Sequence, residues 1–189
     1  MKNEKTKEIA ALGILTAIVI VLQLLGSFIK FGPFSISLVL IPIVVGAALY
    51  GPAAGAWLGF VFSLVVLLSG DAAAFLAVSV IGTILTVLAK GTLAGFVAGL
   101  VYDLLRQKPL LATVLAAIAC PVCNTGIFLL GCFLFFMPTI SAWASAFGFA
   151  STGSYIIFGL VGGNFLFEVL SNIILSPVLV RVISMGRNR

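Results

Sequence analysis

Residues 81–100 read IGTILTVLAKGTLAGFVAGL, and the fold turns on how this stretch is read. It is apolar enough for a membrane helix, yet Lys90 stands in its middle, followed by Gly91, Gly95 and Gly99 at intervals of four. An ammonium in hydrocarbon is costly unless it faces a cavity, water or a partner. Glycines four apart let a second helix approach to backbone contact. The stretch therefore combines a wet or paired point with a tightly packed half.

The rest of the chain agrees with a membrane setting. Of 189 residues, 62% are hydrophobic and only 8% charged. Soluble domains are about a quarter charged, so the composition indicates an integral membrane protein. Its apolar runs are continuous, as in helices, whereas barrel strands alternate. At about 20 residues per crossing, a few helices use most of the length, in one membrane domain over 1–189. The net charge of +5 is localised. Lys2, Lys5 and Lys7 precede the first apolar run, Arg106 and Lys108 lie in a polar break, and Arg181, Arg187 and Arg189 end the chain. Basic residues flanking spans mark the cytoplasmic side, so this basicity describes topology and argues against nucleic-acid binding. The run from Ile9 to Ile29 exceeds a signal-peptide core and lacks a clean cleavage site, so it reads as a retained span.

In chain order the spans are expected at roughly 9–29, 36–50, 53–69, 75–102, 110–136 and 154–180. These make an all-α membrane protein with six transmembrane helices and both termini cytoplasmic. In the first span Ala10, Gly13 and Ala17 share one helical face. That stripe suits close docking of another helix, from this chain or a partner. The segment 30–35, KFGPFS, is expected to be an external turn, and Pro42 to kink a short second span. Residues 69–74 form an external loop carrying Asp71, and 137–153 a longer external segment with Trp143. Gly51, Gly55 and Gly59 lie in the cytoplasmic half of an outward span; Gly91, Gly95 and Gly99 lie at matching depth in the next, inward one. The two ridges are expected to pack together and close the inner half of the bundle.

At about 1.5 Å per residue, Lys90, Asn124 and Glu168 lie about 22, 18 and 21 Å from the outer ends of their helices. They form one layer on three helices, with Asn164 one turn further out than Glu168. Two readings are open. Lys90 and Glu168 form a buried ion pair supported by Asn124, or these groups floor a solute pocket with apolar walls, open to the outside.

Other chemistry is sparse. There is no histidine. Cys120-Pro-Val-Cys123 has neither a second pair nor a histidine to complete a zinc set, and with Cys132 it lies in an apolar run. No phosphate loop, nucleophilic triad, cofactor motif or metal motif is present. An enzyme has almost nothing to work with.

The whole chain resembles a substrate-binding S component of an energy-coupling factor (ECF) vitamin transporter. The resemblance rests on size, six spans with inside termini, the Ala10/Gly13/Ala17 stripe, the segment Gly46 to Gly55 and the run Lys90 to Gly99. It implies a high-affinity vitamin-binding subunit of a prokaryotic plasma membrane. Such a subunit docks, through the small-residue face of span one, on a transmembrane coupling subunit that works with two cytoplasmic ATPases. It also implies delivery by toppling in the bilayer, with loops around 30–35 and 69–74 as gates. Lys90 favours an anionic solute, a carboxylate-bearing vitamin such as pantothenate. The alternative is a small structural or assembly subunit of a membrane complex with no solute of its own.

Overall fold

Long apolar runs make helices here, and glycine and proline punctuate them. The computed structural model describes residues 2–28, 30–31, 34–35 and 38–187. Helix α1 runs Lys2–Ser27 and takes in the polar N-terminal residues. Its end is fastened by Ser27 Oγ donating to the Leu24 carbonyl at 2.7 Å. A small antiparallel hairpin follows, β1 (Lys30–Phe31) with β2 (Phe34–Ser35). Gly32 and Pro33 of the expected turn lie outside the described residues.

Helix α2 spans Leu40–Tyr50. Pro42 falls in its first turn, where the missing N–H has no intrahelical acceptor to lose, so the expected mid-span position for Pro42 gives way to a helix start. Gly51 (φ 87°) turns the chain between α2 and α3, Pro52–Leu68, which begins on proline. A one-turn helix α4 (Ala73–Leu76) occupies part of the stretch read as loop. Helix α5 runs Val80–Leu105, starting later than the expected residue 75. Ser79 caps it, accepting from the Gly82 N–H at 3.2 Å.

Helix α6 (Pro109–Gly131) does not stop near 136 but passes through a π-helical turn, Cys132–Phe136, into α7, Met137–Ala146. The first ten residues of the segment 137–153, expected to be an external helix or loop at the interface, are helix and continue α6. Helix α8 (Thr152–Ser154) leads through a second π turn, Tyr155–Val161, into α9, Gly162–Arg187. Among the described residues, four helical stretches are long and apolar enough to cross a membrane: Thr6–Ser27, Val80–Leu105, Pro109–Ala146 and Thr152–Leu175. Leu40–Tyr50 and Pro52–Leu68 are shorter apolar helices.

The shortest of these helices, α2, is the most enclosed. Ile43, Val44 and Ala47 are buried against α1, α3, α5, α6 and α9. The helices around it turn large apolar side chains outward, among them Ile14, Leu25, Leu104 and Ile174. This is the arrangement expected where the surroundings are lipid.

Helices α3 and α5 touch backbone to backbone. A Cβ added to Gly59 would strike the Gly91 carbonyl, with the carbonyl carbon at 2.7 Å and Thr92 Cα at 3.3 Å. One at Gly55 would strike the Gly95 carbonyl, and one at Gly99 would sit 2.5 Å from Pro52 Cα. Ser63 Oγ bonds across the same seam to the Val87 carbonyl at 2.7 Å. Gly13 on α1, by contrast, has nothing within 4 Å of where its Cβ would be. Gly59→Ala should therefore destabilise the bundle by about 1–3 kcal/mol. Gly13→Ala should leave it unchanged or slightly firmer. Thermal melting of both variants in detergent checks the contrast.

Candidate solute-binding site

Just above the glycine seam the helices part and a cleft opens among α1, α3, α4, α5, α6 and α9, with about 840 Å³ of space including its mouth. Its lining, largely apolar and aromatic with a few convergent polar groups, is that of a small-molecule site. Helix α5 supplies Thr83, Thr86, Val87 and Lys90, spaced by three and four so that one face looks into the cleft. Asn124 comes from α6, and Asn164 and Glu168 from α9. The four polar residues singled out in the sequence thus line one cavity. Asn124 and Glu168 are only 5% and 2% exposed.

The ion pair considered for Lys90 and Glu168 is not formed. The Lys90 Nζ lies instead between two rings, 5.7 Å from the centroid of Phe62 and 5.6 Å from that of Phe128. Glu168 Oε1 accepts from Asn164 Nδ2 at 3.2 Å, one helical turn away, while Oε2 has no hydrogen-bond partner. Asn172 Nδ2 donates to the Glu168 carbonyl at 2.7 Å and braces that turn.

Magnitudes decide what this arrangement means. Cation–π contacts contribute about 0.5–2 kcal/mol each. Withdrawing an ammonium from water costs several kcal/mol. Two rings alone do not offset that. An unpartnered buried acceptor likewise costs about 1–3 kcal/mol. Thr86 Oγ1, Asn124 Oδ1, Asn164 Oδ1 and Glu168 Oε2 are all in that position.

The rim holds groups that the sequence reading did not place here. Gln23, 2% exposed, donates from Nε2 to Asp71 Oδ2 at 2.7 Å and ties α1 to the segment between α3 and α4. A glutamine in an otherwise apolar run was a visible signal. Asp71 was visible too, but as a loop acid. Phe75 on α4 packs edge-on against Phe128, Phe136 and Trp143, with centroids 5.6, 5.0 and 5.5 Å away. It roofs the cleft with an aromatic cluster that nothing in the sequence spacing announces.

The other marked residues lie apart. Gly51, Gly55, Gly59, Gly91, Gly95 and Gly99 belong to the seam side of the molecule. Ala10, Gly13 and Ala17 are exposed on α1, facing away from the bundle. Cys120 and Cys132 are buried free thiols and Cys123 is half-buried.

With this geometry in view, the comparisons are specific. The family model for the ECF transporter substrate-specific component matches residues 7–182. The pantothenic acid transporter PanT of Lactococcus lactis subsp. cremoris is 30% identical over 205 residues, spanning 100% of this chain and 99% of the relative. The structure of ThiT from Listeria monocytogenes superposes with a TM-score of 0.65 at 22% identity, over 97% of this chain and 98% of that one, and so shares the fold. A chain matched almost end to end in this way, with several helices built for lipid, belongs to the family of ECF transporter substrate-specific components, multi-pass membrane transport subunits rather than enzymes.

Proposed function

We propose that this chain is the solute-binding subunit of an ECF-type, ATP-driven importer, and that its solute is a carboxylate-bearing vitamin, pantothenate foremost. The observation that carries the reading is the Lys90 ammonium, set between Phe62 and Phe128 at the floor of a deep cleft, without a carboxylate against it. A solute carboxylate supplies the missing charge. The name of the Lactococcus relative supports the same solute.

In this reading the chain is one membrane domain that crosses the bilayer six times with both termini in the cytoplasm. The basic residues in the first turns of α1, in the α5–α6 break and at the end of α9 are then all inside, as the flanking-charge rule asks. Lys90, Asn124, Asn164 and Glu168 hold the solute, which enters from outside past the segments around 30–35 and 69–74. Ala10, Gly13 and Ala17 dock on a transmembrane coupling subunit that works with two cytoplasmic ATPases. The exposure of that face and the open space at Gly13 support the assignment, because small side chains there serve no packing within this chain. ATP hydrolysis in the partners then drives toppling of the loaded subunit in a prokaryotic plasma membrane.

Two experiments test this. Pantothenate added to the purified protein should raise its melting temperature saturably. Lys90→Met should weaken binding about ten- to hundredfold, as loss of a charged hydrogen bond of roughly 1.5–3 kcal/mol implies. A flat response across a panel of anionic vitamins would sink the solute assignment. In cells carrying the coupling subunit and ATPases, Gly13→Leu should abolish uptake while the purified variant still binds solute. Uptake at the wild-type rate would move the dock elsewhere.

A further inference from the structure

The cleft carries two kinds of recognition group of opposite character. One is the Lys90 ammonium, which only donates. The other is a set of buried oxygens with no hydrogen-bond partner: Thr86 Oγ1, Asn124 Oδ1, Asn164 Oδ1 and Glu168 Oε2, drawn from α5, α6 and α9. Buried acceptors left unpaired cost stability, and several in one cleft are a demand for donors from elsewhere. The Asn164 amide is already oriented, since its Nδ2 donates to Glu168 Oε1, which leaves its oxygen facing the cleft unmatched.

We infer that the solute is a monocarboxylate that also carries two or more neutral donors, hydroxyl or amide N–H, and that Glu168 with Asn164 reads those donors while Lys90 holds the carboxylate. This rests on the solute-pocket reading above and adds the division of labour within it. The chemistry rules out neighbours on either side. A dicarboxylate sets its second charge against Glu168. A cationic vitamin sets its charge against Lys90. An apolar carboxylic acid leaves the acceptor set unpaired. A single ammonium suits Glu168 alone, whereas three of the four acceptors are neutral oxygens on separate helices, which fits several spaced neutral donors.

Glu168 is thereby a specificity residue, and the test separates its role from simple support of the fold. Binding to the purified full chain is measured by calorimetry with four compounds: pantothenate, panthenol (carboxylate reduced to an alcohol), N-(3,3-dimethylbutanoyl)-β-alanine (carboxylate and amide kept, hydroxyls removed) and β-alanine. The wild type should bind pantothenate at least tenfold more tightly than any of the others. In Glu168→Gln, which keeps the side-chain shape and an acceptor for Asn164, pantothenate should weaken at least tenfold. The preference for pantothenate over N-(3,3-dimethylbutanoyl)-β-alanine should shrink to within about threefold. Asn164→Ala, at a half-buried position, should shrink the same preference in a second background. Lys90→Met should erase the preference over panthenol and leave the hydroxyl preference intact.

Wild-type ratios in both Glu168→Gln and Asn164→Ala overturn the inference while leaving the solute pocket standing. Competition by β-alanine as strong as by pantothenate overturns it in favour of a zwitterion. Absence of binding by all four compounds to the wild type overturns the pocket reading itself.

Discussion

Where Gly59 and Gly91 face each other, two helix backbones meet with no side chain between them, and the position of everything above that contact follows from it. In lipid, helices gain little from apolar burial against one another, so close backbone approach is a main source of association. Gly55 and Gly95 repeat the contact one turn away, and Gly99 lies against Pro52. A seam this tight fixes both the rotation and the depth of α5 relative to α3. Ser63 adds direction, because its hydroxyl reaches the Val87 carbonyl across the seam.

Lys90 immediately precedes Gly91, so the seam also decides where the cation goes. Phe62 on α3 lies beside Gly91 and supplies one of the two rings over the ammonium. The second ring, Phe128, packs edge-on against Phe75 in the aromatic roof. The floor and roof of the cleft are thus joined through one side chain. Burial of charge is tolerable here because the cleft separates Lys90 from lipid and the rings offset part of the lost hydration. The cavity is the means by which the bundle accommodates a lysine at that depth.

Much of this is legible in the sequence for a physical reason. Helical class follows from unbroken apolar runs, and the matched glycine spacings on α3 and α5 are visible as periodicity. Lys90, Asn124, Asn164 and Glu168 stand out because a polar side chain in hydrocarbon needs an explanation. What stayed hidden depends on long-range packing. Nothing between Gly131 and Met137 signals that the helix continues through a π turn; the Phe-rich run reads equally well as a span end. The second π turn, before Asn164, is hidden in the same way, and both turns contribute side chains to the cleft, Phe136 and Leu160 among them. Such turns recur at functional sites because they re-aim side chains without ending a helix. Pro42 misled in the opposite direction: a proline within an apolar run suggests a kink, but the helix simply starts there. The Lys90–Glu168 pair is the other misreading available. Equal depth brings two charges into one layer, but rotation about each helix axis decides whether they meet, and the seam sets that rotation.

Helix α1 shows how a weakly packed element can still belong to the site. Its inner face carries Val19 and Gln23, both buried, and Thr16, which accepts from Trp57 Nε1 at 3.2 Å. Its outer face carries Ala10, Gly13 and Ala17, which touch little of the bundle. From Ala17 to Gln23 is about 9 Å along a helix at 1.5 Å per residue. Within that distance the helix passes from an exposed small-residue face to the hydrogen bond that holds Asp71 at the cleft. A rigid helix moved by its outer face carries Gln23 with it. The hydrogen bond to Asp71 is then the point at which such a movement reaches the rim. The same bond in reverse passes a displacement of the Asp71 segment to α1. Helix α1 also packs on α2 and α3 and takes the Trp57 bond at Thr16, and the Gln23–Asp71 link is the polar contact that joins it to the cleft rim.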